Sequence, residues 1–101
     1  MAETLEMMQG DAYIIGIVIK DDEGNEITDA DKVEVSLGGL SKIAEYDSVE
    51  EVWAFPVTQS ETFTFGYVEG LQVRVVMDGE VVGNANVATV YVFPANSREV
   101  L

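Results

Sequence analysis

The sequence predicts an all-β fold, and three observations carry that prediction. Short runs rich in Val, Ile, Tyr and Thr recur along the 101-residue chain. Gly, Asn and Asp turn residues separate them at a spacing of about 8–12 residues. The run Lys32–Leu37 alternates, with Val33, Val35 and Leu37 on one side and Glu34 and Ser36 on the other, which is the period of a half-buried strand. Asp78-Gly79 sits between two β-rich runs and favours a type I′ hairpin turn. No amphipathic helix of useful length competes. The expected architecture is a single antiparallel β-sandwich, Ig-like in size, of about six to eight short strands. The term describes size and layering, because the chain has no Cys to supply the Cys–Trp–Cys signature of true immunoglobulin domains.

The elements follow in order. Residues 1–9 read as an N-terminal arm, residues 10–94 as the sandwich domain and residues 95–101 as a C-terminal tail. Tyr13–Ile19 is almost wholly apolar and β-branched, which suits a strand covered on both faces or one central in a sandwich. It ends at Lys20–Asn25, a polar turn in which Gly24 and Asn25 accept positive φ. After Lys32–Leu37, Gly38-Gly39 makes a turn and Leu40–Ala44 returns as a short strand. Glu45–Glu50 is polar and reads as a loop. Glu51–Phe55 is a strand stopped by Pro56, which has no N–H for a ladder. Thr58-Gln-Ser-Glu61 has the spacing of a capping box, but little room follows it. It is therefore read as a tight turn leading into a short strand at Phe63–Phe65. Leu71–Met77 and Glu80–Val82 flank the Asp-Gly turn, and Ala85–Phe93 ends at Pro94. Gly83–Asn86 marks either a bulge or a bend where the chain switches sheets.

Charge and composition exclude much chemistry. Lys plus Arg number 5 against 19 Asp plus Glu, for a net charge of −14, with no His and no Cys. Disulfides, thiol nucleophiles and every catalytic arrangement that needs His are ruled out. A polyanion is repelled, so nucleic acid is not an expected partner. The longest apolar run, Ala12–Ile19, falls short of the ~20 residues of a membrane helix, and the first residues lack the basic start of a secretory signal. The expectation is a protein that stays in the cytoplasm until it is assembled, with a virion as one destination. No membrane partner, no cofactor and no enzymatic activity are expected.

Candidate sites are few. Asp21, Glu23 and Asn25 lie in the densest acidic turn and have the ligand types calcium prefers, though not the spacing of a calcium loop; the plainer reading is a solvated turn. Glu45, Asp47, Glu50 and Glu51 read as a charged loop that keeps a strand edge soluble. Trp53 is either core or, with Tyr67 and Tyr91, part of an aromatic platform for sugar. Arg74 lies mid-strand, facing solvent or paired with an acid on a neighbouring strand. Val100 and Leu101 give the tail apolar anchors, so it is either frayed or an arm that adds a strand to another subunit. The N-terminal arm allows the same two readings.

Several segments also carry a resemblance. They are Gly10–Tyr13, Gly24–Thr28, Val33-Glu34, Leu37–Lys42, Trp53, Thr58–Phe63, Gln72–Val75, Gly79–Gly83 and Ser97–Leu101. With them the chain resembles the short uncharacterised proteins encoded in prophages of Gram-positive gut bacteria. It is also similar to the small β-sandwich domains of phage baseplate and receptor-binding proteins. The resemblance implies a structural or assembly protein that self-associates or docks on a larger virion assembly. Its implied partners are other phage structural proteins or a second copy of itself. The alternative is a carbohydrate or cell-surface binding module that uses the aromatic face or a cation-bridged acidic turn.

Overall fold

The computed structural model describes residues 3–97 and 99–101. Its strands form two sheets, and the fold is all-β apart from one helical turn. The strands are β1 (Glu3–Met8), β2 (Tyr13–Ile17), β3 (Lys32–Leu37), β4 (Leu40–Ile43), β5 (Glu45–Asp47), β6 (Val52–Val57), β7 (Val68–Met77) and β8 (Glu80–Phe93). Helix α1 spans Gln59–Thr62. Sheet A has the order β1-β8-β7-β3-β4, and sheet B the order β2-β6-β5. One hydrophobic core joins them. Val33, Val35, Leu37, Leu71, Val73 and Val90 enter it from sheet A, and Ile17, Trp53, Phe55 and Val57 from sheet B.

Local chemistry accounts for the best-defined elements. The β7–β8 hairpin turns at Asp78 (φ 53°) and Gly79 (φ 80°), the paired positive φ values of a type I′ turn. Opposite charges meet directly across β3 and β7, where Arg74 faces Glu34 and its Nε donates to Glu34 Oε1 at 2.7 Å. Helix α1 is held by a full capping box. Thr58 Oγ1 accepts from Glu61 N–H at 3.2 Å, and Glu61 Oε1 accepts from Thr58 N–H at 2.8 Å.

Several sequence expectations need correction. The N-terminal segment is not an arm outside the domain: β1 pairs in parallel with β8 and buries Met7 in the common core. A parallel partner so distant in sequence has no local turn to announce it. Tyr13–Ile19 is not covered on both faces. Its strand ends at Ile17 and lies at the edge of the three-stranded sheet, leaving Ile14 74% exposed. Glu45–Asp47 is a short strand rather than loop. Strand β6 runs through Pro56, whose carbonyl accepts from Lys42 Nζ at 2.7 Å instead of from a neighbouring strand. Strand β5 pairs only as far as Ala54, so Pro56 costs the sheet no ladder bond. Phe63–Phe65 is a turn after α1, not a strand. Strand β8 does not switch sheets. Its register shifts twice against β7, leaving Val82 and Val87 as extra residues either side of Gly83–Asn86.

The link between β1 and β2 is anchored. Gly10 N–H donates to Thr62 Oγ1 at 2.8 Å, and that hydroxyl donates to Gln59 O at 2.8 Å. Gln9 Nε2 donates to Phe65 O in a buried contact. Gly10 has φ +87°, and a Cβ there would stand 3.0 Å from Phe63 Cζ, so both the turn and the packing call for glycine.

Candidate functional site

Trp53 is core. It is 6% exposed, stacks edge-on with Tyr46 at 5.4 Å between ring centroids, and donates from Nε1 to Ile27 O at 2.9 Å. Tyr67 and Tyr91 are 67% and 43% exposed and belong to the other sheet's β7–β8 end, so the three rings share no platform. Tyr91 does have apolar company. Val68 is opposite it on β7, and Phe93 and Met8 form the next cross-strand pair on the same outer face.

The acidic turn is organised around its own backbone. Asp21 Oδ1 accepts from Glu23 N–H and Asn25 N–H, both at 2.9 Å, and Gly24 takes φ +87°. One carboxylate oxygen is thereby occupied in closing the turn. Among the described residues no group of three or more Asp, Glu, His or Cys is placed to hold a metal ion. Asp47 does the same for the loop after β5, accepting from Val49 N–H and Glu50 N–H. The tail lies back on its own domain. Leu101 N–H donates to Gln59 Oε1 at 3.0 Å, and Val100 lines a shallow recess with Ala12, Ile14 and Pro56. Val100 and Leu101 nevertheless stay exposed, Leu101 at 98%.

Among the described residues two titrating groups are displaced from their ordinary values. The hydrogen bond from Lys42, followed by that from the Thr58 backbone, holds the Glu61 carboxyl below the usual range. Desolvation, with Glu51, Glu26 and Asp47 nearby, raises the Tyr46 hydroxyl above the ordinary tyrosine value.

One concavity is a feature that sequence reading missed. A cleft of about 710 Å³ opens between the edge strands β1 and β2. Leu5, Met7, Ile15, Ile17, Leu71 and Ala88 supply its apolar lining. Both walls are strand edges, and hydrogen bonds elsewhere fix which residues face outward. Alternate residues of a strand direct both main-chain groups to the same side. Ile14 is paired with Pro56, which has no N–H to give, so that pair is not a hydrogen-bonded one. The odd-numbered residues of β2 therefore face β6. Ile14 and Gly16 turn their N–H and C=O groups toward the cleft. On β1, Gln9 N–H donates to Phe93 O, so Thr4, Glu6 and Met8 face away from β8. Tyr13 Oη accepts from Met8 N–H at 2.8 Å and closes that end of the β1 edge. Only the clustering of apolar residues in Tyr13–Ile17 hinted at this site, and the same pattern suits a fully covered strand.

A scan of the chain against protein-family models finds no match, and a search of curated proteins finds none.

Proposed function

We propose that this chain is a non-enzymatic docking module, an Ig-like β-sandwich that joins a larger assembly through an exposed strand edge. The observation that carries the reading is the cleft between β1 and β2, where the outward main-chain groups of Ile14 and Gly16 pair with no strand among the described residues and border an apolar floor. The sheet order supports the sandwich. In immunoglobulin terms β2, β6 and β5 correspond to strands B, E and D, and β8, β7, β3 and β4 to G, F, C and C′. Strand β1 is added beside β8. A net charge of −14 keeps such a module soluble before it docks and opposes self-association. The prophage resemblance makes a virion or its assembly intermediate the proposed setting, with other phage structural proteins as partners.

Sedimentation of the native protein from producing cells tests this reading. The expected result is co-sedimentation with large particles, while the purified chain stays monomeric in light scattering over a range of concentrations. A protein that sediments as a free monomer in both preparations overturns it. A stable homo-oligomer, unchanged by chelator, turns the assembly into one made of this chain alone.

A second reading rests on the exposed cluster of Tyr91, Phe93, Val68 and Met8, which has the aromatic and apolar character of a sugar-binding face. Glycan-array binding that Tyr91→Ala abolishes would favour it.

A further inference from the structure

The four edge strands of the two sheets are β1, β4, β2 and β5. Proteins guard such edges with shortness, charge, proline or a covering group, because an open edge pairs with any available strand. Three of the four are guarded here. Strand β4 has four residues, Lys42 among them, and β5 has three, two of them Glu45 and Asp47. Strand β1 contains Glu6, and the Tyr13 hydroxyl caps one end of it. The fourth, β2, reads Tyr-Ile-Ile-Gly-Ile. It has no charge and no proline, and among the described residues no strand pairs with its outer edge. The edge is not a flat surface. It forms one wall of the β1–β2 cleft, whose floor is the apolar core itself.

We infer that β2 is a strand-acceptor site that binds an extended, basic and apolar segment of another protein as the fourth strand of sheet B. The inference rests on the docking reading above and names its site and ligand class. Strand β2 spans about 17 Å at ~3.4 Å per residue, so the inserted stretch is about five residues long. The main-chain groups of Ile14 and Gly16 bind its backbone. Its alternate side chains enter the cleft against Leu5, Met7, Ile15 and Ile17, which demands apolar residues at every second position. The intervening positions face outward, where charge decides the partner. Glu6 borders the cleft, and the module as a whole carries −14. Lys or Arg at those positions is attracted, and an acidic segment is repelled. A second copy of this chain carries the same −14 and is the disfavoured occupant.

Hydrogen exchange of the full chain, read residue by residue by NMR, tests the inference with a synthetic peptide in which Val and Lys alternate. In the free protein the Ile14 and Gly16 amides should exchange fast, while Ile15 and Ile17, which face β6, are protected. Saturating peptide should slow Ile14 and Gly16 by about tenfold or more. A matched Val–Glu peptide should give no slowing, and neither should a Val–Lys peptide N-methylated at alternate residues. Ile14→Pro removes an outward N–H and should abolish binding, whereas Ile14→Thr keeps the N–H and should retain it. Unchanged exchange at Ile14 and Gly16 with the Val–Lys peptide overturns the acceptor site. Equal binding of the Val–Glu peptide overturns the basic partner. Protection that rises with protein concentration alone, together with a doubled mass, makes a second copy the occupant and overturns the assignment to another protein. The wild-type exchange result stands even if Ile14→Pro fails to fold. A chain that co-sediments with particles but shows no protection on β2 refutes the acceptor site and leaves the docking reading intact.

Discussion

Sheet A and sheet B meet in one core but end differently. Sheet A has five strands and is laced across its outer face, where Arg74 pairs with Glu34 and Ser36 bonds Ser41. Sheet B has three strands, and its outer face carries Ile14, Gly16, Ala54 and Pro56. On the inward side both contribute fully buried residues: Val33, Val35, Leu37 and Val90 from one sheet, Phe55 from the other. The contrast teaches that core burial and edge closure are separate achievements. Sheet B packs its inward face into the core just as sheet A does, yet one of its margins is left able to bond. Core packing requires only one face of a strand, whereas closing an edge requires another strand.

The largest expected effect strikes sheet B's inward face. Trp53→Ala should cost about 3–5 kcal/mol, because it leaves a cavity and also loses the bond to Ile27 O. Chemical denaturation measures it, and a change near zero would place Trp53 on the surface. Next comes the pin between the β1–β2 link and α1. Thr62→Val strands the Gly10 N–H and should cost about 1–3 kcal/mol in the same assay. It should also speed exchange of the β1 amides, which would show that sheet A's outer strand depends on a contact outside its own ladder.

Gly79→Val acts wholly within sheet A. A β-branched residue at φ +80° should cost about 1–2 kcal/mol and lower the melting temperature, although a Cβ there has open space. Normal melting would mean that the hairpin closes some other way.

The pH response is smaller. Glu61 has a lowered folded-state pKa, so the folded protein favours its ionised form. The stability it contributes is present above its ordinary value of 4.5 and is lost as pH falls through the lowered value. Melting followed from pH 6 to pH 3 should show this loss in the wild type and a weaker pH slope in Glu61→Gln. The smallest effect belongs to sheet B's outer face: Ile14→Ala should change stability by less than ~0.5 kcal/mol. Set against Trp53→Ala, it measures the two faces of one sheet.

How much is legible in the sequence varies by element. The alternation of Lys32–Leu37, the Asp78–Gly79 turn and the Thr58–Glu61 box are signals within a few residues, and the structure contains all three, although the box caps a turn of helix, Gln59–Thr62, where the sequence reads as a tight turn. The neighbours of Arg74 place it mid-strand, and pairing with an acid on the next strand is one of the two options they leave. Residue type leaves Trp53 open between core and platform, and packing against Tyr46 decides for core. The cleft is not legible, because it exists only where β1 and β2 come together.

The sequence by itself determined the strand-forming runs, the tight turns, the −14 charge and the loss of all Cys and His chemistry. These follow from residue type and from the two-residue period of a strand, which are local properties. Tertiary structure alone decided that the first strand pairs in parallel with the last and that Pro56 sits within β6. It also decided that Tyr13–Ile17 lies at an edge. The period tells which side chains share a face. It does not tell which strand, if any, lies alongside, because that choice is made by contacts between residues far apart in the chain.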